Sequence, residues 1–290
     1  MVSDDQSSLR SDLALALGGV GWTALACLPL LAWLDANRMR PAMIATTGFA
    51  TLPAALWSLG MPTCDIARCL AEHFKNDVFH RRDLLTIFSM MGLPLRDRGL
   101  AHALWRSKPL VKACRRLLGD ARLETMPVPL RITLVDCLSG QFHSIAKGDV
   151  AALAYASTAL LPALPPLRID GHWMCDASVY HAAPLNDLLL RPGLRNVIAM
   201  TCSFPHRKHY TSLVDQQLTL QVVLQKAALK TNALLALDLL EGELVVLAAR
   251  LQRSVDPFDQ TILPEVVAAG ERELSQSDEQ IESLLQGAPI

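Results

Sequence analysis

Ile44-Ala45-Thr46-Thr47-Gly48-Phe49-Ala50-Thr51-Leu52 runs from an apolar stretch, through a turn of small residues, into a second apolar stretch that continues to about Leu59. The order predicts a strand near Met43–Thr46, a turn at Thr47–Ala50 and then a helix. In a serine hydrolase of this layout such a turn carries the nucleophile. It holds the hydroxyl clear of the backbone and near amides that can hold an oxyanion. In a G-x-S-x-G frame, Thr46, Gly48 and Ala50 take the three defining positions. The central residue is glycine, which has no side chain with which to form an acyl-enzyme.

Upstream, Asp12–Leu17 reads as a strand, Gly18–Gly21 as a glycine-rich turn and the residues up to Asp35 as a helix. The resulting βαβα start implies a parallel sheet with right-handed crossovers. Further strands are expected at Arg131–Val135 and Asn196–Met200, with Leu167–Asp170 leading into a turn at Gly171. After Tyr210 the chain reads as helical, with Leu213, Leu220, Val223, Leu224 and Leu240 at helix-compatible spacing. The acidic tail from Glu265 reads as a surface helix. Without repeats or a low-complexity linker, residues 1–290 are expected to form one domain.

The chain is 51% hydrophobic and 19% charged, with a formal net charge of −1, so no global pull toward nucleic acid exists. Its mean hydropathy of +0.26 raises a membrane reading. Leu13–Leu34 is about 22 residues without a charge and Pro41–Cys64 about 24, each long enough to span a bilayer. Gly18, Gly19, Gly21 and Pro29 in the first, with Thr46, Thr47, Gly48, Pro53 and Pro62 in the second, favour buried strand–turn–helix units instead. The seven cysteines (Cys27, Cys64, Cys69, Cys114, Cys137, Cys175, Cys202) lack the short spacings of a zinc site. They fit reduced, mostly buried thiols. Met1–Asp12 lacks the basic start of a signal peptide, so a cytoplasmic location is expected.

Residues from about 68 to 125 form a helical, basic insert. Between residues 96 and 122, Arg96, Arg98, Arg106, Lys108, Lys112, Arg115, Arg116 and Arg122 face only Asp97 and Asp120. The plain reading is the solvated face of a helical cap. The sharper one is a patch for anionic partners, a phospholipid surface or an acidic carrier protein.

Several pieces together resemble the patatin-like phospholipases over nearly the whole chain. Leu15-Ala16-Leu17-Gly18-Gly19-Val20-Gly21 and the helix Leu28–Asp35 resemble the family's oxyanion loop and first helix, with Thr23 near the position of the usual arginine. Val135-Asp136-Cys137-Leu138-Ser139-Gly140 resembles a strand ending in an acidic turn. Tyr155-Ala156-Ser157-Thr158-Ala159-Leu160-Leu161-Pro162 resembles the Ala-Ser-x-Ala-x-Pro helix, and Asp176-Ala177-Ser178 followed by Pro184 resembles the Asp-Gly-Gly or Asp-Gly-Ala segment. The resemblance implies a three-layer α/β/α fold with a mostly parallel central sheet and a helical cap. It also implies a Ser–Asp dyad with Asp176 as base, an oxyanion loop at Gly18, Gly19 and Gly21, and neither cofactor nor metal. The serine's position falls on Gly48.

Removing a nucleophile costs about six orders of magnitude in turnover. The expectation is therefore a pseudoenzyme that binds acyl chains, lipid or an acyl-carrying partner, cytoplasmic or peripheral to a membrane. The alternative is an acyl hydrolase or acyltransferase of revised chemistry, with Asp176 as base toward water or a substrate hydroxyl. Thr46 and Thr47 flank position 48, but the turn aims only its central residue. Ser58 and Cys64 read as core or cap, Ser157 as structural, Ser178 as a turn residue and Asp176 also as an amide cap. His181 is the histidine nearest to Asp176, and His206 and His209 read as a basic surface loop. Were the surroundings intact, returning a serine to position 48 should restore esterase activity.

Overall fold

The computed structural model describes residues 8–75, 83, 103–189, 193–205, 213–240 and 242–286. In chain order these form β1 (Ser8–Leu17), α1 (Leu28–Ala36), β2 (Met39–Thr46), α2 (Thr51–Ser58), α3 (Thr63–His73), α4 (Ser107–Leu118), β3 (Leu130–Asp136), β4 (Phe142–Ile145) and α5 (Val150–Thr158). There follow β5 (Leu167–Ile169), β6 (His172–Asp176), α6 (Asn186–Leu189), β7 (Asn196–Ser203), α7 (Leu213–Leu239), β8 (Glu243–Arg250), α8 (Leu263–Gln276) and α9 (Asp278–Gln286). The strands make one mixed sheet in the order β5-β6-β3-β2-β1-β7-β8, with β4 paired to β3. Pairs among β3, β2, β1, β7 and β8 are parallel; β6, β5 and β4 join antiparallel. The expected α/β class with a mostly parallel central sheet holds.

The two apolar runs that suggested a membrane hairpin are β1–α1 and β2–α2. Leu13–Leu17 are fully buried because β1 lies inside the sheet between β2 and β7. Among the described residues, no helix is long and apolar enough to cross a membrane. One large cluster of buried side chains packs Leu13, Leu15 and Leu17 with Trp22, Phe49, Tyr155 and Ile198. Its smaller counterpart joins Ala14, Ala16, Val197 and Ala199 to Ala236 of α7. Alternate residues of β1 thus feed opposite sides of the sheet, as strand geometry requires.

Two expectations need correction. The region after Tyr210 is not wholly helical: β8 runs parallel to β7 from Asn196–Glu243 to Ser203–Arg250. Its run 244–249 is apolar throughout, with Val245, Leu247 and Ala249 buried and the residues between them half-buried, so it carries no clean helical stripe. Nor is the helix containing Glu265 merely a surface element. Val266, Ala269 and Gly270 of α8 are buried, and Gly270 lets its backbone approach Ala26 so closely that a Cβ there would lie 2.2 Å from the Ala26 oxygen.

In the basic region, Arg96 and Arg98 lie outside the described residues. α4 buries Leu110, Ala113, Cys114 and Leu118 and turns its cations outward. Arg115 pairs with Asp149 and Asp120, and Arg122 with Glu124. Arg115 and Arg122 are therefore already matched by carboxylates.

Candidate functional site

β1 and β2 end side by side, with Leu17 opposite Thr46. The glycine loop and the turn at residue 48 therefore leave the carboxyl ends of neighbouring parallel strands, where open α/β sheets place their ligands. Loop and turn are stitched together: the Thr47 amide donates to the Leu17 oxygen (3.1 Å) and the Phe49 amide to the Gly19 oxygen (2.9 Å). Phe49 anchors the turn from below, its ring 5.5 Å from Trp22 and 5.4 Å from Phe74.

Gly48 has φ = 65°, the left-handed conformation of a nucleophile turn. Its surroundings, however, are closed. A Cβ built there would lie 2.3 Å from the Gly19 oxygen and 3.3 Å from Ser178 Cβ. The space that a side chain at 48 would enter is filled by the backbone of the glycine loop. That same Gly19 carbonyl takes the Phe49 amide, the donor that follows the nucleophile in hydrolases with such a turn.

The loop is also fixed from the other side. The Gly18 amide donates to Met200 (3.1 Å) and the Trp22 amide to Pro257 (2.7 Å). Thr23, where the family resemblance expects an arginine, is buried and closes on the Val20 oxygen through Oγ1 at 2.7 Å. A Cβ on Gly18 would fall 1.6 Å from the Ala182 oxygen, so the segment beyond Asp176 presses directly on the loop.

A buried chain of hydroxyls supports the turn. Ser157 Oγ donates to the Gly48 oxygen (2.9 Å), Thr51 Oγ1 lies 2.9 Å from Ser157 and Thr46 Oγ1 3.0 Å from Thr51. Each hydroxyl carries one proton. Since Ser157 spends its own on Gly48, Thr51 must donate to Ser157, and Thr46 is left to share its proton between Thr51 and the Arg131 oxygen at 3.2 Å. Thr46 and Ser157 are thus structural.

Asp176 ends β6 opposite Leu134. Its Oδ1 accepts the Ser178 amide at 2.7 Å, which tucks Ser178 against Gly48. Burial pushes the carboxyl up to about 7 against the opposing pull of that amide. Ser178 Oγ leans on the same carboxylate but reaches no partner in hydrogen-bond geometry. Thr47 Oγ1, also fully buried, has none among the described residues either. The structure thus brings Gly48, Gly19, Ser178 and Asp176 together.

Other sequence candidates fall elsewhere. His181 stacks edge-on against Phe142 at 4.3 Å, and burial holds its pKa below the usual value. Ser58 bonds to Val128 in the core. Cys64 is exposed in α3. Asp136 is held down to about 2 by the Leu138 amide, His172 and Ser139, as an acidic turn rather than a base. His206 and His209 lie outside the described residues. Among the described residues no cluster of His, Cys, Asp or Glu could hold a metal ion. The sequence reading missed Gly19 as a plug and Ser157 as the donor to Gly48. No local signal marks either, because both depend on contacts between distant segments.

Glycine loop, left-handed turn after a parallel strand and nearby buried aspartate define an α/β protein of acyl-hydrolase layout. The chain belongs to the patatin-like phospholipase family, whose model matches residues 15–189. It is 26% identical over 94 residues to uncharacterized NTE family proteins of Mycobacterium tuberculosis (strain H37Rv) and Mycobacterium bovis, a match covering 32% of this chain and 26% of theirs. The match thus spans about a quarter of those relatives. VipD from Legionella pneumophila is similar in structure, with TM-score 0.45 and 11% identity over 94% of this chain and 66% of that one. ExoU in its complex with SpcU, from the type III secretion system of Pseudomonas aeruginosa, gives 0.37 and 13% over 94% and 51%.

Proposed function

We propose that this protein binds an acyl chain or lipid and does not turn esters over through residue 48. The observation that carries this reading is the Gly19 carbonyl lodged where a side chain at 48 would project, with the Phe49 amide bonded to it. Nucleophile space and oxyanion donor are lost together, which removes both covalent and electrostatic assistance. Acyl specificity is supported by family membership and by apolar side chains near the segment that carries Asp176. Leu138 is 71% exposed and Tyr180 55%, and Tyr180 stacks on Phe142 at 6.0 Å. The chain is read as one domain, cytoplasmic or peripheral to a membrane.

Titration of the full chain with a fluorescent polyene fatty acid tests the reading. Saturable binding without sustained release of p-nitrophenolate from p-nitrophenyl butyrate is expected. Absence of binding, or continuous turnover that Asp176→Asn abolishes, would overturn it. The second reading, revised chemistry with Asp176 as base, is favoured by one observation: a buried carboxyl titrating near neutrality suits proton transfer.

A further inference from the structure

We infer that the hydroxyl missing at residue 48 is supplied from the opposite side of the same space by Ser178, which accepts an acyl group covalently with Asp176 as its base. The inference deepens the acyl-binding reading above by naming the atom that holds the acyl group.

Four observations meet at Ser178. Its Cβ stands 3.3 Å from the point where a side chain at 48 would begin. Its backbone is pinned by the bond from its amide to Asp176 Oδ1, so carboxylate and hydroxyl belong to one short turn. The residue is fully buried, and its Oγ is unpartnered among the described residues. A buried hydroxyl left without a partner carries a desolvation cost that alanine would avoid, so its presence calls for a role. Finally, the family resemblance expects glycine or alanine at 178 and serine at 48; here the two are exchanged across one contact.

The step balances without any further reagent. Ser178 Oγ attacks the carbonyl carbon of an activated acyl ester as its proton passes to the Asp176 carboxylate. The ester C–O bond breaks, and the leaving alcohol or phenol takes that proton from Asp176. An acyl-Ser178 ester and a free alcohol remain. Because Ser178 is sealed, acylation is slow and requires the glycine loop to lift, which also frees the Phe49 amide to support the oxyanion of that step. Once the loop closes again the amide returns to Gly19, so deacylation lacks that support and the acyl group is retained rather than turned over.

The test is intact-mass and peptide mass spectrometry of the full chain after exposure to p-nitrophenyl butyrate and, separately, to a fluorophosphonate. One adduct per chain on Ser178 is expected, absent in Ser178→Ala and formed about 10²–10⁴-fold more slowly in Asp176→Asn. Ser178→Ala should keep or raise the melting temperature, so loss of labelling will not reflect unfolding. An adduct elsewhere, or none on the wild type, overturns the inference. Fatty-acid titration of wild type and Ser178→Ala separates the two failures. Binding without an adduct removes only Ser178's role, whereas no binding by the wild type removes the acyl-binding reading itself.

Discussion

A serine returned to position 48 should fail to restore an esterase, and the structure gives the cost. The backbone there is left-handed, which disfavours a residue with a Cβ by about 1–2 kcal/mol. The Cβ would also sit 2.3 Å from the Gly19 oxygen, a backbone atom that cannot rotate away. Relieving such overpacking typically costs about 1–3 kcal/mol. Moving Gly19 would further break its bond with the Phe49 amide, worth about 1 kcal/mol. The variant should therefore lose about 3–6 kcal/mol, a large part of the ~5–15 kcal/mol that holds a domain folded. Urea unfolding followed by circular dichroism measures the loss, and p-nitrophenyl butyrate hydrolysis by the same preparation measures activity. A Gly48→Ser variant that unfolds at the wild-type urea concentration and hydrolyses the ester continuously would refute the reasoning. It would show that Gly19 yields freely and that the site is open.

Asp176→Asn should change how stability responds to pH. In the folded chain the carboxyl keeps its proton to about 7, against a usual 3.8, chiefly because it is buried. Between those values the folded state binds more protons than the unfolded one, so stability falls as pH rises through the window and levels off above it. The full effect is about 4 kcal/mol at most; melting curves from pH 4 to 8 should show the wild type losing stability relative to Asp176→Asn. Ser157→Ala should cost about 0.5–1.5 kcal/mol in urea unfolding, since it leaves the Gly48 oxygen with only the Thr51 amide and takes the Ser157 acceptor from the Thr51 hydroxyl in the core. Gly270→Ala would gain about 1 kcal/mol in an exposed helix. Here the 2.2 Å approach to Ala26 reverses the sign, to a loss of about 1–3 kcal/mol.

The start of the fold was legible because strand, glycine cluster and helix follow one another locally, although β1 begins at Ser8 rather than Asp12 and a 3-10 segment at Gly21–Cys27 precedes α1. The chain around Gly242 was not. Gly242 lies close against the Arg195 oxygen, and β8 follows it with apolar residues on both strand faces, so neither a helical nor an alternating stripe appears. At the site, Gly48 and Asp176 could be picked out from local motifs. What surrounds them could not. Whether a glycine opens a space or lets another segment fill it depends on Gly19, 29 residues away in sequence, and the Ser157–Gly48 bond spans 109 positions. Such contacts are set by the sheet order, which brings the ends of β1 and β2 together and leaves no periodic trace in the chain.

The proposed function requires that the glycine loop, closed over Gly48, prevents turnover. The most direct test is p-nitrophenolate release by the purified wild type under a large excess of p-nitrophenyl butyrate, with Asp176→Asn as control. The account predicts no more than one equivalent per chain, followed by background rate in both proteins. Many equivalents released at a steady rate, and lost in Asp176→Asn, would contradict it.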